Sequence, residues 1–293
     1  MKTTLLSNTQ DRIIRYFEAS GMDYAQWSPQ FNMHFGYYAP GMNPFKREAM
    51  LNRLSEEVFK RLSLSPATDG LVLDFGCGLG ATARHMAKSH PHMDFYGITL
   101  TPWQVKYGQK LSKAMGMEER IQLLEANFTN TPLADGCADG LYAIESACYA
   151  PGADKESLVR EIHRVLKPGA RFALADGFRK HSRQLPAWLN NIYRRNLNCW
   201  ALEELADVQR FVATLKKFDF SDIRVEEVSW RIAPSFAHIP FVTLKFLWQE
   251  WRRGGLKQLS QERINNVMAP IYGMVMGLAR RHFGYYFISA RKI

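Results

Sequence analysis

The run Leu71-Val72-Leu73-Asp74-Phe75-Gly76-Cys77-Gly78-Leu79-Gly80 constrains this chain more than any other stretch. Its apolar start, residues 70–73, reads as a buried strand. An acidic residue closes the strand, three glycines follow at alternate positions, and residues 81–88 continue with helical character. Glycine permits the tight turn and lets a ligand approach bare backbone. The helix N-terminus behind the turn offers free N–H groups and the positive end of a dipole. Alone, such a turn fits a nucleotide-binding α/β domain or a glycine-rich turn with no ligand. The order of the chain behind it decides.

Strands are expected at residues 92–100, 120–125, 139–144 and 171–175. A helix from Thr101 to about Met115 has a Thr N-cap and Pro102 at its first position. Another helix covers 155–166, and Lys167-Pro168-Gly169 reads as a turn. Strands alternating with helices over 70–176 indicate a parallel, doubly wound sheet, whose ligands bind beyond the C-terminal ends of the strands. Asp74, Thr99, Asn127, Glu145 and Asp176 fall there. Upstream lie a helix at 11–20, an aromatic loop at 30–40, and an amphipathic helix at 44–62 with Met50, Leu54, Val58 and Leu62 on one stripe. Downstream, residues 181–218 read as helical, 223–230 as a strand, 234–281 as a mostly helical insertion covering the cleft, and 285–291 as a last strand.

Hydrophobic residues make up 46% and charged residues 23% of the 293, an ordinary globular mix that argues against disorder. Aromatics at 13% suit a lined apolar cavity as well as a large core. The net charge of +10 suggests an anionic partner, yet the basic pairs are short and scattered, unlike a nucleic-acid-binding arm. Cys77, Cys137, Cys148 and Cys199 lack CxxC or paired-His spacing, so no metal site or disulfide framework is expected and reduced, cytoplasmic thiols are the default. Residues 1–12 contain no apolar leader, and the soft apolar stretch 267–279 is broken by Pro270 and too short to span a bilayer.

In this order of elements the chain resembles the class I S-adenosylmethionine-dependent methyltransferases over Val72 to Phe178. The Asp74-x-Gly76-x-Gly78-x-Gly80 turn is similar to that family's first motif, and Leu166-Lys167-Pro168-Gly169-Ala170 to its turn before the fifth strand. Dinucleotide dehydrogenases favour Gly-x-Gly-x-x-Gly and an acid ending the second strand; here the spacing differs and Thr99 stands at that end. Thr99 also departs from the common acid of the methyltransferases. Gly97-Ile98-Thr99-Leu100-Thr101-Pro102-Trp103-Gln104 is similar instead to the members that methylate lipid carbon, on sterol side chains, tocopherol-type rings, prenyl diphosphates and cyclopropane fatty acids. The stretch Tyr142 to Pro151 resembles the sterol 24-C-methyltransferases, and His34-Phe35-Gly36-Tyr37-Tyr38 the aromatic N-terminal motif of the sterol and tocopherol enzymes.

The resemblance implies an α/β fold: a doubly wound, Rossmann-like seven-stranded sheet with an antiparallel last strand, N-terminal helices and helical lid insertions. It divides one catalytic domain into a cap (1–66), a cofactor-binding core (67–180) and a lid segment carrying the sixth and seventh strands (181–293). The implied cofactor is S-adenosylmethionine, leaving as S-adenosylhomocysteine, with Mg²⁺ only for a diphosphate acceptor. Its expected contacts are Tyr37, Tyr38, Asp74, Gly76, Cys77, Gly78, Thr99, Leu100, Gln104, Asn127, Phe128 and Glu145. Asp74 would hydrogen-bond the turn's N–H groups or the methionine end; Asn127 and Phe128 would meet the adenine.

Glu145 ends a strand at the cleft among Ile144, Ala147 and Cys148, where a carboxylate is costly without a role. If the acceptor is an alkene, methylation creates a carbocation that a carboxylate and aromatic faces stabilise and a base deprotonates. Glu145, His34 and Tyr149 are the candidate catalytic residues. The expected function is C-methylation of a lipophilic, isoprenoid-type acceptor; the alternative is O- or N-methylation of a small natural product with His34 as base. Nucleic acid is not expected, because Ile144-Glu145-Ser146-Ala147 stands where amino-directed base methyltransferases carry an Asn/Asp-Pro-Pro-aromatic motif. Transient contact with a membrane surface and homo-oligomerisation are both compatible with the sequence.

Overall fold

The structure, a computed structural model, describes residues 8–67 and 69–293; the first seven residues of the leader reading lie outside them. Seven strands form one sheet in the order β3 (Ile121–Glu125), β2 (Met93–Thr99), β1 (Gly70–Phe75), β4 (Ala138–Ile144), β5 (Leu166–Arg179), β7 (Phe283–Lys292), β6 (Phe220–Glu227). β1 to β5 are mutually parallel, and β7 runs antiparallel between β5 and β6. β1 is central and apolar because a parallel sheet is covered on both faces. One face buries Leu73, Phe75 and Leu141 under α5 (Glu156–Val165) and α7 (Val208–Lys217). The other buries Val72, Phe95 and Tyr142 under α2 (Arg47–Lys60) and α3 (Ala81–Ala87).

The strand order reverses between β1 and β4, which opens a crevice over their C-terminal ends. Five helices roof it: α1 (Asn8–Ser20), α6 (Ala187–Cys199), α8 (Ser229–Phe236), α9 (Ile239–Arg252) and α10 (Gln261–Leu278). The roof is tied to the N-terminal segment by side chains far apart in sequence. Arg263 grips both oxygens of Asp23 at 2.8 Å, and the Tyr16 hydroxyl donates to Asn266 Oδ1 at 2.8 Å.

Several local expectations are corrected. Lys167-Pro168-Gly169 is not a turn before β5 but a bulge inside it: Ala138 pairs with Leu166 and Gly140 with Arg171, so the extra residues loop out, with Gly169 at φ +79°. The strand expected at 223–230 is β6, which ends at Glu227; Ser229 and Trp230 open α8, and Pro234 lies inside that helix rather than starting an insertion. Residues 181–218 are two helices separated by an irregular segment at 200–207. Thr101 precedes α4 (Pro102–Ala114) with extended backbone, but its side chain makes no capping bond.

Candidate active site

β1 delivers Asp74 and then breaks into the glycine turn. Gly76, Gly78 and Gly80 have φ of +81°, +52° and +75°, the left-handed region that favours glycine. The turn is pinned by its own backbone: Gly76 and Cys77 N–H both donate to the Ile98 carbonyl, at 2.9 and 3.1 Å. Of the two roles expected for Asp74, support of the turn's N–H groups is not the one seen. Its carboxyl accepts the Tyr142 hydroxyl at 2.9 Å, and no turn N–H donates to it. Burial, only partly offset by that bond, raises its pKa to about 7.

A side chain at Gly76 meets two penalties at once. A Cβ there would lie 2.2 Å from Ser146 Cβ, in a backbone conformation L-residues resist. At Gly78 the nearest atom is Met33 Sδ at 3.1 Å, so the space is open toward the cavity. Gly76→Ala is therefore expected to lower the unfolding free energy by ~2–4 kcal/mol, whereas Gly78→Ala costs about 1 kcal/mol of stability and chiefly weakens ligand binding. Equal midpoints for the two variants in urea unfolding would refute the distinction.

The turn forms one wall of a cavity of about 640 Å³. Of the sequence-nominated residues, the cavity brings together His34, Asp74, Gly76, Cys77, Gly78, Thr99, Leu100, Gln104, Phe128, Glu145 and Tyr149. Thr99 donates its hydroxyl to Gln104 Oε1 at 2.6 Å, which holds the Gln104 amide in place beside Met33. Phe128 stacks on Phe75 with ring centroids 6.1 Å apart and keeps its other surroundings in the cavity wall.

Three nominated residues are not brought in. Tyr37 stacks on Phe287 at 5.6 Å and Tyr38 binds its N–H to the Arg231 carbonyl, both outside the cavity lining. The residues of that loop which do line it are Phe31 to Phe35, because residue 36 packs against Met50 and turns the chain away. Asn127 is likewise outside; its side chain caps Thr129, accepting from N–H and hydroxyl at 2.9 and 2.8 Å.

Glu145 follows β4 with φ +48°, a strained conformation for a non-glycine residue. Its N–H bonds the Ala175 carbonyl, fixing the residue against β5. One carboxyl oxygen, Oε1, accepts the Phe35 N–H and the Tyr285 hydroxyl, both at 2.8 Å. Burial outweighs these bonds and raises its pKa to about 8. His34 donates Nδ1–H to the Phe35 carbonyl at 2.8 Å, since a carbonyl only accepts. Nε2 is thereby a lone-pair acceptor, buried and without a partner. Burial lowers the His34 pKa to about 4, so the ring is neutral. Asp176, the third carboxyl of the cavity, accepts the Cys148 and Gly177 N–H groups at 2.9 and 2.7 Å, and burial raises it to about 6.

Residues that sequence reading missed complete the walls. Tyr24, Trp27, Trp200, Phe236 and Tyr285 face the cavity, with Phe236 stacked on Phe35 at 4.1 Å. Tyr24, Trp27, Trp200 and Phe236 sit on irregular or lid elements and Tyr285 in β7, where no short motif marks them. Among the described residues, Arg280 is the only Arg or Lys that lines the cavity, and it is bonded to Glu227. Three carboxyls of raised pKa therefore share a cavity walled by aromatic rings.

A family profile described as "Methyltransferase domain" matches residues 73–174, which run from β1 into β5. The chain carries a methyltransferase domain. Among curated relatives, a probable chloroplastic tocopherol O-methyltransferase of Oryza sativa subsp. japonica is 27% identical over 75% of this chain and 62% of its own. Cycloartenol-C-24-methyltransferase 1 of the same organism is 32% identical over 57% of this chain and 46% of its own. The chain thus spans about half the length of these relatives. A crystal structure of geranyl diphosphate C-methyltransferase from Streptomyces coelicolor shares the fold, with a TM-score of 0.73 over 99% of this chain and all of its own, at 16% identity. The antiparallel seventh strand and the strand order belong to this methyltransferase fold.

Proposed function

We propose that this protein is an S-adenosylmethionine-dependent C-methyltransferase acting on an alkene of a lipophilic, uncharged isoprenoid-type acceptor. One feature carries the reading: the buried carboxyls of Asp74, Glu145 and Asp176, each raised in pKa by burial, share the cavity with aromatic side chains, and Arg280 beside them is already bonded to Glu227. A site with unneutralised carboxyls favours bound positive charge. The donor set fits the cofactor at the β1–β2 end. The open glycine turn, Asp74 with its elevated pKa, and the Thr99–Gln104 pair would hold the amino-acid and ribose portions, and Phe128 the adenine.

When bound, S-adenosylmethionine supplies an electrophilic methyl group, so an alkene acceptor gaining it becomes a carbocation. Glu145 carries two tasks. As a carboxylate it stabilises that cation through space, together with the ring faces of Tyr24, Trp27 and Phe236. It then accepts a proton from the carbon beside the cation, restoring a double bond; Oε2 is left for this because Oε1 is held by Phe35 and Tyr285. His34 Nε2 is a second acceptor within the same walls. Lid helices α8 and α10 keep water from the cation.

The alternative, methylation of a small natural product with His34 as base, meets a physical objection where the acceptor is a hydroxyl. A base of pKa about 4 removing a proton from a phenol of pKa ~10 works ~8 kcal/mol uphill. The proton next to a carbocation is far more acidic and presents no such barrier. A diphosphate acceptor fares no better, since no convergent Arg or Lys lines the cavity.

A labelled-methyl assay against sterols, linear polyprenyl hydrocarbons, prenyl diphosphates, quinols and amines tests the reading. Label on carbon of an uncharged isoprenoid is expected; label only on oxygen, nitrogen or a diphosphate would overturn it. Cofactor binding supplies an independent check. Binding a sulfonium draws a proton off Asp74, so affinity should rise with pH up to about 7, by up to tenfold per pH unit. S-adenosylhomocysteine, without the sulfonium charge, should show a shallower rise. Titration calorimetry giving identical pH dependences would remove the electrostatic basis.

A further inference from the structure

Helix α9 is apolar on two opposite faces. Ile239, Val242, Thr243 and Phe246, spaced three and four apart, face the cavity. Phe241, Leu244, Trp248 and Trp251 lie on the other side, and Phe241, Trp248 and Trp251 are 74%, 52% and 65% exposed. A helix apolar all round is normally buried all round. α10 repeats the pattern with exposed Ile264, Ile271 and Leu278, each seven residues on from the last. The cavity opens onto this side: Trp230, Gly277 and Leu278 both line it and are exposed, and Arg280 lies over the Trp230 ring at 4.6 Å.

The charge of this segment selects its occupant. Residues 229–281 contain eight Lys or Arg and two Asp or Glu, so about a fifth of the chain carries +6 of the net +10. One of the two acids, Glu250, is buried and bonded to Arg263. Lys245 and Arg252 flank the outward stripe of α9, Arg252 over the Trp248 ring at 4.9 Å, and Arg253 and Lys257 follow it. A second copy of the chain would bring like charge against like charge. Trp and Phe among Lys and Arg suit the boundary between acyl chains and anionic headgroups.

We infer that the outer face of α8–α10 docks on an anionic lipid bilayer, placing the cavity mouth at Trp230 and Leu278 against the membrane from which an apolar acceptor is drawn. The acceptor's source rests on the function proposed above; the docking itself does not. Among the described residues no helix is long and apolar enough to cross a membrane, so the contact is peripheral.

Flotation of the full chain with liposomes, without cofactor or acceptor, separates the two. With vesicles of phosphatidylcholine containing about 30 mol% phosphatidylglycerol, partitioning is expected to exceed that on phosphatidylcholine alone by at least ~10-fold and to fall steeply as salt rises toward ~0.5 M. Phe241→Glu with Trp248→Glu should abolish flotation, and Lys245→Glu with Arg252→Glu and Lys257→Glu should erase the preference for anionic lipid. Neither set lines the cavity, so unchanged S-adenosylmethionine binding by calorimetry shows that each variant is folded. Three results would overturn the inference: no flotation by wild type that binds the cofactor, flotation unaffected by both variant sets, or a stable dimer in sedimentation equilibrium that Phe241→Glu with Trp248→Glu dissociates.

Discussion

Replacing Glu145 by Gln should lower kcat by about 10²- to 10³-fold, the range for loss of a positioned base, while the Kd for S-adenosylmethionine changes only a few-fold. The amide is isosteric and its oxygen still accepts the Phe35 N–H and Tyr285 hydroxyl, so the strained backbone at φ +48° keeps its supports. What is lost is the negative charge and the ability to take a proton. The same variant should also be more stable than wild type in alkali. Glu145 has its folded pKa raised from 4.5 to about 8, so the stability tied to its neutral form is complete below about pH 4.5 and is lost as pH climbs through 8. At pH 9 wild type carries a buried carboxylate that Gln does not. The variant's melting temperature should exceed wild type at pH 9 and match it near pH 5. A parallel loss of cofactor affinity and turnover would reassign Glu145 to cofactor binding, and equal melting temperatures at pH 9 would show that the carboxylate is well compensated.

Function and stability pull in opposite directions at this residue, and the sequence already carried the signal: an acid ending a strand amid Ile144, Ala147 and Cys148. The core sheet was legible for a similar reason. Buried parallel strands are short apolar runs, and turns between them need glycine or proline, so residues 70–176 read nearly as they fold. Thr99 and Gln104 were nominated by the resemblance of residues 97–104 to lipid-carbon methyltransferases, and both line the cavity. The lid was not. Its walls come from Tyr24, Trp200, Phe236 and Tyr285, on four separate elements, and long-range packing leaves no local pattern. Tyr37 and Tyr38, expected at the cofactor, lie outside the cavity lining. An aromatic loop looks like a clamp, but which of its rings turn inward depends on residue 36 seating against Met50, 14 residues away. Asn127, also expected at the cofactor, caps its own turn through Thr129 and lies outside the cavity lining.

The residue sequence reading passed over entirely is Lys155, which it placed in a helix start. The side chain is fully buried, a rare state for lysine. Nζ donates to three carbonyls, of Ala150 at 2.6 Å, Glu204 at 2.9 Å and Cys148 at 3.2 Å, and the residue adopts φ +54° to reach them. Those bonds fasten the loop after Glu145 to the segment leading into α7. The ammonium's charge also lowers the Asp176 carboxyl against the burial that raises it. Lys155→Met keeps the stem and its packing but leaves three carbonyls without a donor. Removing one partner of a buried charged network costs about 3–5 kcal/mol, so the urea midpoint should fall accordingly. In the protein that remains folded, Asp176 should titrate higher, and turnover should drop more than cofactor affinity, because Cys148 and Tyr149 lose their anchor while the glycine turn keeps its own. A loss below about 1 kcal/mol would mean that water replaces the ammonium at those carbonyls. Loss of cofactor affinity without loss of stability would place Lys155 in the binding site rather than beneath it.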